Sequence, residues 1–144
     1  MDLSRYASLG DNAHISLRTF RANGDTVDTA VWFCQIEDDY YIRTVSNSAK
    51  VRRLRANAFA AVAPCHWDGE LTGPWQQVQA TVMDDGDPLI PELDSRMNAF
   101  YGDYRRELTQ LMSQLGKALC YIRLTPLRDN GNRDTGVDDS LDSR

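Results

Sequence analysis

The dipeptide Asn23-Gly24, set between two segments that alternate apolar and polar residues, constrains this chain more than any other feature. Both residues tolerate the positive φ of a type I′ turn, so the pair predicts a tight hairpin between strands over residues 14–20 and 27–36. In the first arm Ile15, Leu17 and Thr19 alternate with Ser16, Arg18 and Phe20, the period of a strand with one buried face. Glu37-Asp38-Asp39 makes a polar turn into a third strand over residues 40–44. Three strands in succession without a crossover helix disfavour a parallel βαβ sheet.

Past Ser46-Asn47 the period changes. Val51, Leu54 and Ala58 recur at helical spacing and Ser48 can cap the first turn, so a short helix is expected over residues 49–57. Residues 59–65 read as a buried strand. Residues 75–83 read as another, with Val78, Ala80 and Val82 on one face and Gln77, Gln79 and Thr81 on the other. From Pro88 the pattern is helical again: Leu93, Met97 and Phe100 or Tyr101 share one face, and Leu108, Leu111, Met112 and Leu115 share another beyond Gly102. Two helices or one broken helix fit this stretch equally. Gly116 reads as a C-terminal cap, and residues 119–125 form the last strand before Pro126. The expected fold is mainly β, a small barrel or sandwich of six strands with a short helix after strand 3 and a helical segment before the last strand.

At 144 residues the chain is the length of one domain, expected over residues 1–127. Residues 128–144, with five Asp, three Arg and no aromatic residue, are expected to be a disordered acidic tail. The longest apolar run, residues 58–63, is far short of the roughly 18 residues of a membrane span, so no membrane partner is expected. The first residues lack the apolar core of a secretory signal, which makes a cytoplasmic location the default. Three widely spaced cysteines and two histidines give no metal-ligand spacing; no metal site is expected, and Cys34, Cys65 and Cys120 read as reduced, packed thiols.

Neither a Gly-x-Gly-x-x-Gly nor a P-loop motif occurs, and neither His14 nor His66 falls in a nucleophile motif. One constellation stands out, the run from Thr44 to Arg55. Hydroxyls leave the end of a strand and enter a helix N-terminus, where unpaired N–H groups favour an anion. Thr44 and Ser48 would donate hydroxyl hydrogen bonds, Lys50 would supply a point charge and Arg53 a bidentate partner, a set suited to phosphate. A capped surface helix with a solvated basic face fits the same spacing equally well. Nucleic acid is not expected as a partner, because the chain carries 16 Lys and Arg against 21 Asp and Glu and no second basic stripe.

Several segments together resemble a known family: residues 15–21 (ISLRTFR), Asn23-Gly24, residues 29–33 (TAVWF), 41–44 (YIRT), 48–54 (SAKVRRL), Val62-Ala63-Pro64-Cys65, Tyr101-Gly102 and residues 122–126 (IRLTP). Across about residues 14–127 the chain resembles the pyridoxamine 5′-phosphate oxidase-like flavoprotein superfamily, and within it the branch that uses the deazaflavin F420. The resemblance implies a six-stranded split β-barrel, usually a homodimer, with a flavin or deazaflavin in a groove at the dimer interface. It implies that Thr44, Ser48, Lys50 and Arg53 hold the cofactor phosphate and that the ring lies against Thr29, Ala30, Val31 and Trp32, largely on backbone. Two residues depart from the common pattern: Ala30 stands where many relatives have Pro, and Ala49 where many FMN-binding oxidases have Arg, which favours F420 over FMN. Arg52, Arg53, Arg55 and Arg18 are candidate complements to the anionic oligoglutamate tail of F420.

The implied activity is hydride transfer between F420 and a small conjugated or aromatic substrate. The cofactor would carry the chemistry and the protein would orient it, in keeping with the absence of a catalytic dyad. The alternatives are an FMN-dependent oxidoreductase of the same fold and a non-catalytic flavin- or haem-binding protein. Trp67, Trp75 and Tyr101 are candidate pocket walls, with packing the commoner role of each.

Overall fold

The frame of the protein is one antiparallel sheet whose two edge strands are consecutive in the chain. The computed structural model describes residues 14–127, so the expected tail and the first 13 residues lie outside it. In chain order the elements are β1 (His14–Phe20), β2 (Thr26–Trp32), β3 (Cys34–Ile36), β4 (Asp39–Val45), α1 (Ala49–Ala56), β5 (Phe59–Cys65), β6 (Gln76–Val82), α2 (Ile90–Tyr101), α3 (Asp103–Gln114) and β7 (Leu119–Pro126). The strands lie in the order β2-β1-β5-β6-β7-β4-β3. A single residue, Phe33, joins one edge to the other, so the sheet must curl into a half-barrel.

Seven strands replace the six expected, because the segment 27–36 divides at Phe33: β2 pairs with β1 and β3 with β4. Leaving both ladders would orphan the backbone polar groups of Phe33, whose side chain is buried. Tyr101 at the end of α2 resolves this. Its hydroxyl accepts from the Phe33 N–H at 3.0 Å and donates to the Phe33 carbonyl at 2.9 Å.

The hairpin forms, with a different turn. Phe20 pairs with Thr26, leaving a five-residue loop instead of two residues. The Gly24 N–H donates to the Arg21 carbonyl, and Gly24 alone takes a positive φ, of 92°. Asn23 keeps a negative φ, and its side-chain oxygen accepts from the Asp25 N–H at 2.9 Å. That local bond favours a type I turn followed by a left-handed glycine over the type I′ turn.

Two apolar clusters sandwich the sheet. Inside the curl, Ile15, Leu17, Ile42, Val62, Val78 and Ile122 pack together, and α1 closes this space with Val51 and Leu54, each worth about 1.5–3 kcal/mol of burial. Outside, Tyr41, Tyr121 and Met83 meet Leu93 and Met97 of α2. The helix over 49–57 ends one residue early, with Asn57 as its cap. The stretch after Pro88 is two helices, because Gly102 between them adopts φ 77° and ψ −158°, a conformation closed to residues with a side chain. The apolar face expected on α3 is only half realised: Leu111 and Leu115 are exposed, and the fully buried residue of that helix is Arg105.

Candidate functional site

The turn between β4 and α1 gathers three of the four residues expected to bind phosphate. Val45 ends a strand and its carbonyl accepts from the Ser48 N–H, which turns the chain sharply into the helix. Ser48 then caps α1, its hydroxyl oxygen accepting from the Val51 N–H at 3.4 Å. In the first turn of the helix, Lys50 reaches back and donates from Nζ to Thr44 Oγ1 at 3.3 Å. Lys50 is half-buried and has no carboxylate partner among the described residues. Burial, and secondarily the nearby Arg53, lower its pKa from the ordinary lysine value. A cation that is desolvated and uncompensated is held at a cost that an arriving anion would relieve.

Arg53 takes another direction. Its Nε donates to Oγ1 of the buried Thr19 at 2.7 Å, across to β1. There it lines a cleft of about 540 Å³ together with Arg21, Arg52 and Ala49. Arg52 donates to the Asn47 carbonyl at 2.6 Å. None of these three arginines has a carboxylate partner among the described residues. Arg18 differs: its guanidinium binds Asp28 with two hydrogen bonds, of 2.8 and 2.9 Å, and stacks 4.1 Å from the Trp75 ring. Hydrogen bonding to Arg18 holds the Asp28 carboxyl below its usual range. Arg18 is therefore already paired with a carboxylate, unlike Arg52 and Arg53 among the candidate complements of an anionic tail.

Of the β2 residues, Val31 packs against the interior cluster, and strand alternation puts Thr29 on the same face. Ala30 and Trp32 face outward. β2 is an edge strand, and among the described residues β1 is its single ladder partner, so no described strand pairs with its other backbone edge. Trp32 stacks on Tyr101, with ring centroids 4.8 Å apart, and meets Tyr104 edge-on at 5.8 Å. It also borders a second cleft, of about 220 Å³, shared with Thr44, Arg43 and Arg105. Trp32 and Thr44, from the two halves of the expected cofactor site, thus border a common space, which at this volume adjoins that site and does not hold the whole cofactor.

Arg43 and Arg105 were not among the expected site residues. Arg43 lies in a strand whose alternation marks it only as outward-facing, and Arg105 sits in a helix with polar neighbours; neither has a sequence signal of burial. Tyr101 packs as a wall of the Trp32 stack. Trp75 packs on Arg18, and Trp67 is exposed and borders neither cleft.

Cys34, Cys65 and Cys120 are free thiols. Burial pushes Cys65 up to about 11 and also raises Cys34, so both stay protonated at neutral pH and are poor nucleophiles. No group of three or more His, Cys, Asp or Glu side chains suited to a metal ion occurs among the described residues. No described helix is long and apolar enough to cross a membrane.

No family model and no curated protein sequence matches the chain. Solved structures do match. HutZ, the haem storage protein from Vibrio cholerae, superposes with a TM-score of 0.67 at 16% identity over 88% of each chain. A pyridoxamine 5′-phosphate oxidase-related, FMN-binding protein from Nostoc punctiforme gives 0.56 at 15% identity, over 86% of this chain and 75% of that one. An FAD-binding protein from Mesorhizobium loti gives 0.53 at 8% identity, over 89% and 91%. With its curled antiparallel sheet, edges joined at Phe33 and helices between the last two strands, the described chain has the split-barrel fold of the pyridoxamine 5′-phosphate oxidase-like proteins.

Proposed function

We propose that this protein is an oxidoreductase that binds F420 and passes a hydride between it and a small conjugated or aromatic substrate. The observation that carries the reading is the continuity of two anion-accepting features around α1. Thr44, Ser48 and the uncompensated Lys50 fit a phosphate group, and on the other side of Ala49 the cleft of Arg21, Arg52 and Arg53 suits a longer polyanion. FMN, ending at one phosphate, would meet only the first feature. F420, with its oligoglutamate tail, would meet both.

When bound, the deazaflavin supplies the hydride chemistry. Lys50 and Thr44 would hold the phosphate, and the edge of β2 away from β1, from Thr29 to Trp32, would orient the ring through its backbone N–H and C=O groups. The Trp32–Tyr101–Tyr104 cluster would exclude water from one side. A second copy of the chain, forming a homodimer, would cover the other side.

Titration with F420 and with FMN, followed by turnover with the reduced cofactor, tests this. The expected result is tighter binding of F420 and oxidation of the reduced form by a conjugated acceptor. Preference for FMN would favour the flavin enzyme of the same fold. Binding of either without turnover would favour a carrier, and binding of haem alone a haem-binding protein.

A further inference from the structure

The 220 Å³ cleft lies between α3 and the outer face of β4 and β7. Its walls are Trp32, Met97, Leu108, Met112 and Leu119, and two arginines, Arg43 and Arg105, line it as well. The two arginines have very different surroundings. Arg105 is 2% exposed and fully engaged: it donates to Asn98 Oδ1 at 2.5 Å and to the Tyr121 hydroxyl at 2.6 Å, and it lies 3.5 Å from Asp94 Oδ1. Tyr121 donates in turn to that carboxylate, so Asp94 is already shared.

Arg43 has one hydrogen bond, from Nη2 to Thr109 Oγ1 at 2.8 Å, and no carboxylate among the described residues. Thr109 is itself anchored, donating to the Arg105 carbonyl at 2.9 Å, so Arg43 is held in place by one edge of its fork. The remaining N–H groups are left for a planar acceptor. Burial, and secondarily the charge of Arg105, push the Arg43 pKa down against the smaller opposing pull of Tyr121 and Asp94.

A guanidinium fork matches the two coplanar oxygens of a carboxylate, and the apolar walls match a flat hydrocarbon body. The volume is below the roughly 300–1,000 Å³ of pockets that take drug-sized ligands, which limits the occupant to a molecule of one or two rings. We propose that Arg43 is a specificity-determining residue that binds the carboxylate of a small aromatic or conjugated acid whose ring lies beside Trp32. In calling this acid the substrate, the inference rests on the oxidoreductase reading above; the carboxylate site itself does not.

Calorimetric titration of the full chain with 2-naphthoate and with its neutral amide, 2-naphthamide, tests the proposal. The acid should bind about tenfold tighter than the amide or better. In Arg43→Gln the preference should collapse toward unity with the amide affinity retained, and Arg43→Lys should restore part of it. Should Arg43→Gln bind neither probe, Arg43→Lys decides by the same ratio. An acid that binds no tighter than the amide, or a preference that survives in Arg43→Gln, would overturn the proposal. The acid should also bind when F420 or FMN is saturating, and displacement by the cofactor would overturn its role as substrate site. Loss of all cofactor binding with the acid preference intact would instead defeat the oxidoreductase reading and leave the carboxylate site standing.

Discussion

Two cations, the half-buried Lys50 and the buried Arg105, carry most of what this protein asks of single residues, and they should respond oppositely to removal. Lys50 is desolvated without a counter-ion, so its folded-state pKa lies below the unfolded value. Its penalty is present at neutral pH and is relieved as pH rises through the folded pKa. Lys50→Met should therefore leave the ligand-free melting temperature unchanged or slightly higher at pH 7. An anionic ligand raises the Lys50 pKa again, so F420 affinity should fall as pH climbs through the ligand-free value, a dependence absent from Lys50→Met and measurable by titration across alkaline pH. Arg105 is fully partnered, and Arg105→Met would leave Asn98 Oδ1 without its donor and the hydrogen-bonded Tyr121–Asp94 pair without its cation. It should cost about 2–4 kcal/mol in urea denaturation, with Asp94 partly rescued by its solvent exposure. Lys50 was legible in the sequence because it stands at a strand-to-helix junction next to hydroxyls. Arg43 and Arg105 were not, because the Arg43 partner lies 66 residues away and those of Arg105 lie 7, 11 and 16 residues away on other elements, and no local spacing encodes that.

At the level of elements, the joints are more demanding than the strands. The strand periods of β1 and β6 and the Ser48 cap could be read directly, since each depends on neighbours within a few positions. The break at Phe33 could not, because it depends on a hydroxyl 68 residues later in the chain. Tyr101→Phe keeps the stack on Trp32 and removes both hydrogen bonds, so it should destabilise the protein by about 1–3 kcal/mol in denaturant melts. The α2–α3 joint depends on backbone alone: a Cβ at Gly102 would meet nothing within 4 Å, yet its φ and ψ are closed to alanine. Gly102→Ala should cost about 1–3 kcal/mol by the same measurement, and this cost is purely conformational. The hairpin turn shows the limit of dipeptide signals: Asn-Gly correctly marked the reversal, while the Asn23 side chain selected the turn type.

Across the whole molecule, a net charge of −5 conceals a local surplus of the opposite sign. The acidic residues pair off Arg18, Arg96, Arg105, Arg106 and Arg123, whereas Lys50, Arg21, Arg52, Arg53 and Arg43 keep no carboxylate among the described residues. These five border the two clefts and the turn between β4 and α1, whereas Arg55 and Lys117, also without a carboxylate among the described residues, line neither cleft. Overall composition could not reveal this, because only the fold determines which charges cancel. A small barrel or sandwich was legible from the order of strands and helices, and the split barrel only through the family resemblance. The cleft arrangement required the curl that brings Trp32 to Thr44. The most direct measurement is a fluorescence titration of F420 into the wild-type protein and Lys50→Met at neutral pH. Saturable binding weakened about tenfold to a hundredfold by the substitution is the predicted result. No binding to the wild type, or equal affinity for both proteins, would contradict it.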